Sequence, residues 1–232
     1  MLPMRVSFNA STLSTWKGNV LVVGVSEEQK EDQLKSLNDF VNGDLNKILE
    51  EKNFKAKNLE SECFELITGP LNKLILVGLG KEKEITLDTL RLASSLGARK
   101  SIGSKGSLGL VFPWELFKSG IAAKVVAEAT RLALFKDMRF RSEKDISIHP
   151  ESYELIGLSN TEVDSLKTID PICLGVELAR ELVGAPPNEV TPEALAESAK
   201  EISNKYGLSL KILEKKDCEK LGMGAFLAVA KG

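Results

Sequence analysis

The sequence predicts an α/β fold over residues 1–160, a three-layer mixed sheet flanked by helices. Two continuously apolar runs, 20–25 and 74–77, are typical of strands that are covered on both faces. Helical patterns separate the strand-like runs, and crossover helices of this kind cover a sheet. A loosely alternating segment, 54–68, predicts one or two strands near a sheet edge. We therefore expect a mixed rather than a purely parallel sheet.

The first elements are two strands and a helix. Strands are expected at 5–8 and 20–25. Ser26-Glu27-Glu28-Gln29 has the capping-box pattern, in which the serine and the residue three positions later satisfy the first free amides of a helix. We expect this helix to carry an apolar face formed by Leu34, Leu37, Val41 and Leu45.

A strand at 74–77 is followed by a glycine-containing turn and a second helix. The strand ends at Gly78-Leu79-Gly80-Lys81. Thr86 lies where a helix N-cap belongs, and Asp88 lies in the first turn, where the helix dipole favours negative charge. A further strand is predicted at 107–112, just before Pro113.

The clearest amphipathic helix lies at 121–133. Its apolar residues form a wide stripe, and Lys124, Glu128 and Arg131 lie together on the opposite face, which we expect to face solvent. A strand at 153–158 completes the first domain.

The pattern changes after Thr161. A helix ending at Gly184 is predicted to present Ile172, Val176, Ala179 and Val183 on one face. Thr191 caps a second helix with Pro192 at its first position, and Gly207 marks its end. Its expected buried stripe consists of Leu195, Ala199, Ile202 and Tyr206.

The remaining residues predict a strand at 208–213, a short helix at 215–221 and the start of a strand at 225–230. We therefore divide the chain into an α/β domain at 1–160, a helical linker at 161–207 and an incomplete second α/β unit at 208–232. The Pro-rich segment 186–192 is expected to be an extended, stiff connector, because residues before proline avoid the helical region.

Composition excludes several classes of function. Hydrophobic residues make up 43% of the chain and the net charge is −2, so neither nucleic acid nor an acidic membrane surface is favoured as a partner. Cys63, Cys173 and Cys218 are far apart, which fits buried thiols in a reducing compartment. With no long apolar run, the expected location is the cytoplasm, without a membrane partner.

Few residues suggest catalysis. His149 is the single histidine, and there is no HExxH, no Gly-x-Ser-x-Gly and no cysteine pair. We therefore expect no catalytic residue and no metal ligand in this chain. The basic stretch 136–141 includes Phe140 and could contact nucleic acid, but nearby acidic residues favour a solvated surface.

Gly78, Gly80 and Lys81 form the one candidate ligand loop. A glycine-rich turn after a strand can cradle phosphate, although the full dinucleotide and Walker spacings are missing. A turn that needs positive φ explains the glycines equally well. Both interpretations stay open from the sequence.

One segment resembles a known family. Ala179, Arg180, Leu182, Pro186, Pro187, Asn188, Thr191, Pro192, Leu195 and Ala196 match the segment that leads into the catalytic domain of leucyl aminopeptidases. Residues 221–229 resemble the first turn and strand of that domain, and 77–81 with Arg91 resembles part of the family's N-terminal domain. Gly184 departs from the pattern, since the family often has asparagine there.

The resemblance implies the N-terminal, non-catalytic portion of a leucyl aminopeptidase, with a macro-domain-like α/β fold. Such enzymes remove N-terminal residues from peptides with two divalent ions, manganese or zinc, and form hexamers. The motifs that supply their metal ligands and catalytic residues, Gly-Lys-Gly-x-x-Phe-Asp-Ser-Gly-Gly and Asn-Thr-Asp-Ala-Glu-Gly-Arg, do not occur in this sequence. We therefore expect no bound metal and no peptidase activity from this chain alone, and peptide substrates only together with a catalytic domain.

Two alternatives remain from the sequence. The chain could be a stand-alone module that binds a nucleotide or an ADP-ribose-like ligand near 78–81, by analogy with relatives of the fold. It could also bind nucleic acid through its first domain, which its near-neutral charge does not favour. Whatever the function, apolar faces at Leu195, Ile202 and Leu227 are expected to be partly exposed and to promote self-association.

Overall fold

The computed structural model describes residues 5–8, 12–13, 15–28, 35, 37–38, 45–66, 71–142 and 147–231. Within these residues six strands form one mixed sheet: β1 (Arg5–Phe8), β2 (Val20–Ser26), β3 (Ser61–Glu65), β4 (Lys73–Gly80), β5 (Ser107–Val111) and β6 (Ser152–Leu155). Their order across the sheet is β1-β6-β5-β2-β4-β3. All neighbours pair in parallel except β3, which runs antiparallel to β4 at one edge. The predicted mixed sheet with an edge strand within 54–68 is confirmed.

Helices within residues 45–134 flank the sheet on both faces. The α-helices of the described residues are α1 (Leu45–Glu51), α2 (Leu87–Lys100), α3 (Ile121–Leu134), α4 (Asn160–Ser165), α5 (Ile169–Gly184), α6 (Pro192–Tyr206), α7 (Lys215–Lys220) and α8 (Gly224–Val229). Alternate residues of β2 enter two separate cores: Val20 and Val22 pack with α2 and α3, whereas Leu21 and Val23 pack on the opposite face. Since successive strand residues point to opposite faces, a sheet with two cores is the central layer of three.

The predicted helix after Ser26 lies largely outside the described residues. Gln29, Leu34 and Val41 cannot be assigned for that reason. Leu37 is helical and buried, and Leu45 begins α1 and is also buried.

Local signals placed α2 correctly. Thr86 accepts a hydrogen bond from the Thr89 amide, and the Thr89 side chain accepts one from the Thr86 amide. Two free amides at the start of the helix are thereby satisfied. The helix packs Leu90, Ala93 and other buried residues on the sheet.

By its internal packing the chain consists of two units, 1–178 and 179–232. The first contains the sheet, helices α1 to α4 and the first part of α5. The second contains α6, α7 and α8 and, among its described residues, buries Cys218 alone. The predicted cap of α6 is confirmed, since the Ala194 amide donates to Thr191 Oγ1 at 3.3 Å, and Gly207 ends the helix with φ +66°.

Two strand predictions in the second unit are wrong. Residues 208–213 form no strand and are exposed, because the described part of the unit offers no strand beside them to complete a ladder. Residues 224–229 form helix α8 instead, with the Leu227 amide donating to the Met223 carbonyl at 3.0 Å. A short apolar run fits either a strand or a helix by periodicity, and its alanines favour the helix.

The expected apolar faces of the two long helices are also different in the structure. On α5, Ile169 and Cys173 are buried while Ile172 and Val183 are exposed. On α6, the predicted buried stripe is not buried: Leu195 and Tyr206 are exposed. The helical period is therefore right in both helices. On α5 a different face is buried from the one predicted, and on α6 the predicted face is not buried.

The connector between α5 and α6 is a turn rather than an extended segment. The amides of Glu189 and Val190 both donate to the Pro186 carbonyl, at 2.9 and 3.1 Å. Proline at the second position of a turn has the φ value that the turn requires, so Pro187 favours this closure.

Candidate functional site

Gly78 and Gly80 belong to β4, so the predicted end of this strand at 77 is wrong, and both glycines pack against a neighbouring segment of backbone. The Gly78 amide donates to the Glu60 carbonyl at 2.7 Å, and the Gly80 amide donates to the Ala56 carbonyl at 2.9 Å. Gly80 has φ +77°, a conformation that favours glycine. A phosphate-cradling turn needs free amides that point at the ligand. In β4 the amides of Gly78 and Gly80 instead donate to carbonyls of the same fold.

Lys81 follows β4 directly and has an exposed side chain. Its Nζ lies 4.0 Å from a Glu84 carboxylate oxygen, across one turn of a short 3-10 helix, Glu82–Glu84. The Glu82 amide donates to the Glu28 carboxylate at 2.8 Å. Since an acidic side chain occupies one amide and another lies near the ammonium, a ligand role for Gly78, Gly80 and Lys81 stays a prediction.

The segment that covers the glycines has an unusual backbone. Asn53, Ala56 and Leu59 have φ values of 53°, 57° and 62°, in the left-handed region. Each such residue costs of order 1 kcal/mol or more and persists only where its surroundings impose it. The Glu60 carboxylate supports this conformation by accepting hydrogen bonds from the amides of Lys55 and Lys57, both at 3.0 Å.

An ion cluster around the buried Arg131 joins α3 to α5. Arg131 is 2% exposed, and its guanidinium donates from Nε and Nη2 to the two carboxylate oxygens of Glu177, both at 2.7 Å. Its Nη1 donates to Asp170 at 2.7 Å. The side chain of Glu177 is 15% exposed and that of Asp170 is 71% exposed. This two-pronged geometry is the strong form of an arginine–carboxylate pair.

The solvent-facing position predicted for Arg131 is therefore wrong. The helical spacing was correct, but α5 covers the face of α3 that sequence alone leaves open. One signal could have found the cluster. Asp170 and Glu177 lie seven residues apart, so they share a helix face with buried Ile169 and Cys173, and a carboxylate in that setting needs a cation.

Ionisation around the cluster follows from burial and charge. The hydrogen bond to Glu177 raises the pKa of Arg131 despite the opposing effect of burial. Burial raises the pKa of the Cys173 thiol to about 11. Burial also raises the pKa of Tyr153 well above its ordinary value, and its hydroxyl donates to the Ala127 carbonyl at 3.0 Å. The neutral forms of Cys173 and Tyr153 therefore persist around a permanently charged arginine.

His149 lies in a small polar cluster on the surface. Its Nε2 is 3.1 Å from Ser147 Oγ, which also accepts a hydrogen bond from Lys136 Nζ at 3.0 Å. Nearby, Arg139 donates from Nη2 to Asp137 at 2.7 Å, and this arginine lowers the pKa of Asp137 to about 2. Part of the basic stretch 136–141 is thus neutralised by its own aspartate.

The described residues offer no set of metal donors. Within them, no group of three or more His, Cys, Asp and Glu side chains is placed to hold a metal ion. Two-metal hydrolysis needs several such donors around each ion. A search of the same residues for a helix that is long and apolar enough to span a bilayer also finds none.

Two family models match the chain in succession. The N-terminal domain of the cytosol aminopeptidase family matches residues 22–144, which is more than half of the chain. The chain belongs to the cytosol aminopeptidase family. The catalytic domain of the same family matches residues 177–232. The resemblance to leucyl aminopeptidases inferred from residues 179–196 is therefore confirmed.

Curated relatives in the cytosol aminopeptidase family align along almost the whole chain. A probable cytosol aminopeptidase of Prochlorococcus marinus strain SARG is 49% identical over 230 residues, which cover 99% of this chain and 46% of the relative. One from Synechococcus sp. strain CC9311 is 43% identical over 230 residues, again 99% and 46%. The chain spans about half the length of these relatives and corresponds to their N-terminal portion.

Solved structures of similar fold agree. A tomato leucine aminopeptidase mutant matches with a TM-score of 0.83 and 29% identity, over 97% of this chain and 47% of that one. The bottromycin maturation enzyme BotP in complex with Mn matches with a TM-score of 0.65 and 20% identity, over 88% and 40%. The second likeness shows the fold alone. Together they confirm the predicted α/β class.

Proposed function

We propose that this chain is the non-catalytic N-terminal portion of a metal-dependent aminopeptidase and does not hydrolyse peptides by itself. The observation that carries this proposal is the lack of a metal-donor set in the described residues of a chain that spans 46% of its relative from Prochlorococcus marinus strain SARG. The activity of the whole enzyme, removal of N-terminal residues with a preference for leucine-like side chains, then depends on the part of the relatives that this chain does not match.

Under this proposal, divalent metal ions are bound by the part of the enzyme that this chain does not match. Two manganese or zinc ions would polarise the scissile carbonyl and activate water there. The described donor groups of this chain do not fit such a centre, because no three of them are placed to hold one ion and the Glu177 carboxylate is bonded to Arg131. No residue of this chain is given a metal ligand role.

The three segments have distinct proposed roles. Residues 1–160 form the N-terminal α/β domain, 161–207 the helical linker, and 208–232 the start of the catalytic domain. The turn at 186–190 and the capped start of α6 support a defined path for the linker. A homo-oligomer, hexameric in the complete enzyme, and a cytoplasmic location complete the proposal.

A ligand role of Gly78, Gly80 and Lys81 is tested separately. Titration of the chain with ADP-ribose and with ATP, followed by calorimetry, is expected to give no heat, because the amides of Gly78 and Gly80 are already bonded. Heat that disappears in Lys81→Ala would instead establish a binding module. A gel shift with duplex DNA at low salt is likewise expected to be absent.

A chimaera tests the proposed role directly. Residues 1–232 would replace the matching segment of the Prochlorococcus marinus strain SARG relative, which is 49% identical. With manganese, the chimaera is expected to release leucine from a leucyl amide. A folded chimaera without activity, beside an active parent relative, would contradict the proposal.

A further inference from the structure

The ion cluster around Arg131 connects the two segments that belong to different family models. Arg131 lies within the N-terminal-domain match, 22–144. Glu177 is the first residue of the catalytic-domain match, 177–232. Both lie in the first packing unit, 1–178. The first residue matched to the catalytic domain is therefore built into the α/β unit by a side-chain pair.

The geometry suits recognition more than stabilisation. A buried arginine and carboxylate lose much hydration, so an apolar pair of similar volume often gives equal or higher stability. What the pair adds is geometric selectivity, because a guanidinium meets one carboxylate edge-on with two parallel hydrogen bonds. Elsewhere on this face α5 presents Ile169 and Cys173, which are apolar contacts of little directionality.

A shift of α5 by one turn would change which side chains lie opposite Arg131. Residues 173 and 181 lie one turn to either side of Glu177 on the same face. A one-turn slide that brought Cys173 opposite Arg131 would leave the buried guanidinium without the carboxylates of Glu177 and Asp170. A slide in the other direction would bring Glu181 and Leu174 to those two positions, so that one carboxylate of the two would be lost. A buried charge that loses a partner is strongly destabilising, so the observed docking, which alone among these three registers gives Arg131 two carboxylates, is favoured over both shifted ones.

We infer that Arg131 is a positioning residue that sets the register in which α5 docks on the α/β unit. The inference rests on the proposed function, since it concerns the helix that leads into the catalytic-domain segment. Its test uses no peptidase activity, so the two can fail separately.

Cys173 provides a native reporter of this docking. It is fully buried on α5 between Ile169 and Glu177, whereas Cys63 is half-buried on the edge strand β3 and serves as an internal reference. Alkylation of the native chain, followed by peptide mass spectrometry, measures the two thiols separately.

Loss of the Arg131–Glu177 pair should make the Cys173 thiol accessible to alkylation. In Arg131→Met, alkylation of Cys173 relative to Cys63 is expected to accelerate by about 100-fold or more. In Glu177→Gln, which leaves Asp170 paired with the guanidinium, the expected acceleration is about tenfold or more. Arg131→Lys keeps the positive charge but cannot make the two parallel hydrogen bonds to Glu177, and it is expected to protect Cys173 only in part. The matched control is Arg91→Met, which removes an exposed arginine paired with Asp88 on α2 and should leave Cys173 protected.

The double variant R131M/E177L separates register from stability. It is expected to melt within a few degrees of the natural chain and still to show faster alkylation of Cys173, with two populations in hydrogen exchange of residues 169–178. Full protection of Cys173 with a single exchange population would overturn the inference, because docking would then need only an apolar contact. Unchanged protection in both single variants would overturn it as well.

Discussion

Gly78 and Lys57 are in direct backbone contact at the end of β4. A Cβ added to Gly78 would stand 2.1 Å from the Lys57 carbonyl oxygen. The Leu59 amide donates to the Gly78 carbonyl at 2.8 Å, so the two backbones are also hydrogen-bonded. Gly78 is thus required where segment 53–59, which contains three residues with positive φ, crosses the strand.

Gly78→Ala is expected to destabilise the first unit by about 3 kcal/mol, because neither backbone can move without breaking hydrogen bonds. Urea unfolding followed by circular dichroism measures the change. Gly175→Ala on α5 is the matched control, since its Cβ would have nothing within 4 Å, and it should stabilise by roughly 0.5–1 kcal/mol. Equal stability of Gly78→Ala and the natural chain would show that the crossing segment is displaced in solution.

Stability should fall at alkaline pH through the Cys173 thiol. Burial raises its pKa from 9.0 to about 11, so its contribution is complete below pH 9 and is lost as pH rises to about 11. Two pH units correspond to at most about 3 kcal/mol. The free energies of unfolding of the natural chain and of Cys173→Ala are measured by urea unfolding at several pH values. Their difference gives the contribution of the Cys173 thiol at each pH. Cys63→Ala serves as the control and should keep the alkaline fall; a parallel fall in Cys173→Ala would refute the assignment.

Removal of the two threonine N-caps should have different effects on the unfolding transition. Thr86→Ala removes a capping box from α2, which packs on the sheet, and should lower the free energy of unfolding of the first unit by about 1 kcal/mol. Thr191→Ala removes a single side-chain cap from α6, which buries no residue, and should leave the main unfolding transition unchanged. Differential scanning calorimetry of both variants tests this, and equal shifts would mean that the two units unfold together.

Hydrogen exchange should distinguish the two units. The buried strand β2 lies in the centre of the sheet, whereas residues 208–213 are exposed and form no strand. Amides of 208–232 are therefore expected to exchange much faster than those of 20–25. The exposed side chains of Leu195, Phe226 and Val229 should also promote self-association at high concentration, seen by light scattering. Comparable protection of both segments would show that the second unit is covered in solution.

Sequence alone predicted the sheet unit well because its signals are local. The continuous apolar run at 20–25 and the cap at Thr86 depend on residues within one element. The edge position of β3 followed from its weak alternation, since a strand at an edge is less covered.

The remaining features depend on contacts between distant residues. Arg131 and Glu177 are 46 residues apart. The apolar pattern of one helix does not reveal that the other helix packs against it, so the pair was not predicted. The helix at 224–229 was predicted as a strand because a short apolar run has no decisive period. The amides of Gly78 and Gly80 could not be judged from sequence, since their acceptors belong to a segment with unusual φ values.

The most direct measurement is an aminopeptidase assay of the isolated chain. The chain would be incubated with a chromogenic leucyl amide and added manganese or zinc, beside the chimaera described above as the positive control and Gly78→Ala as a check for contaminating enzyme. The account predicts that the chain releases no more product than the blank while the chimaera is active. Metal-dependent release by the chain that is lost on unfolding would contradict it.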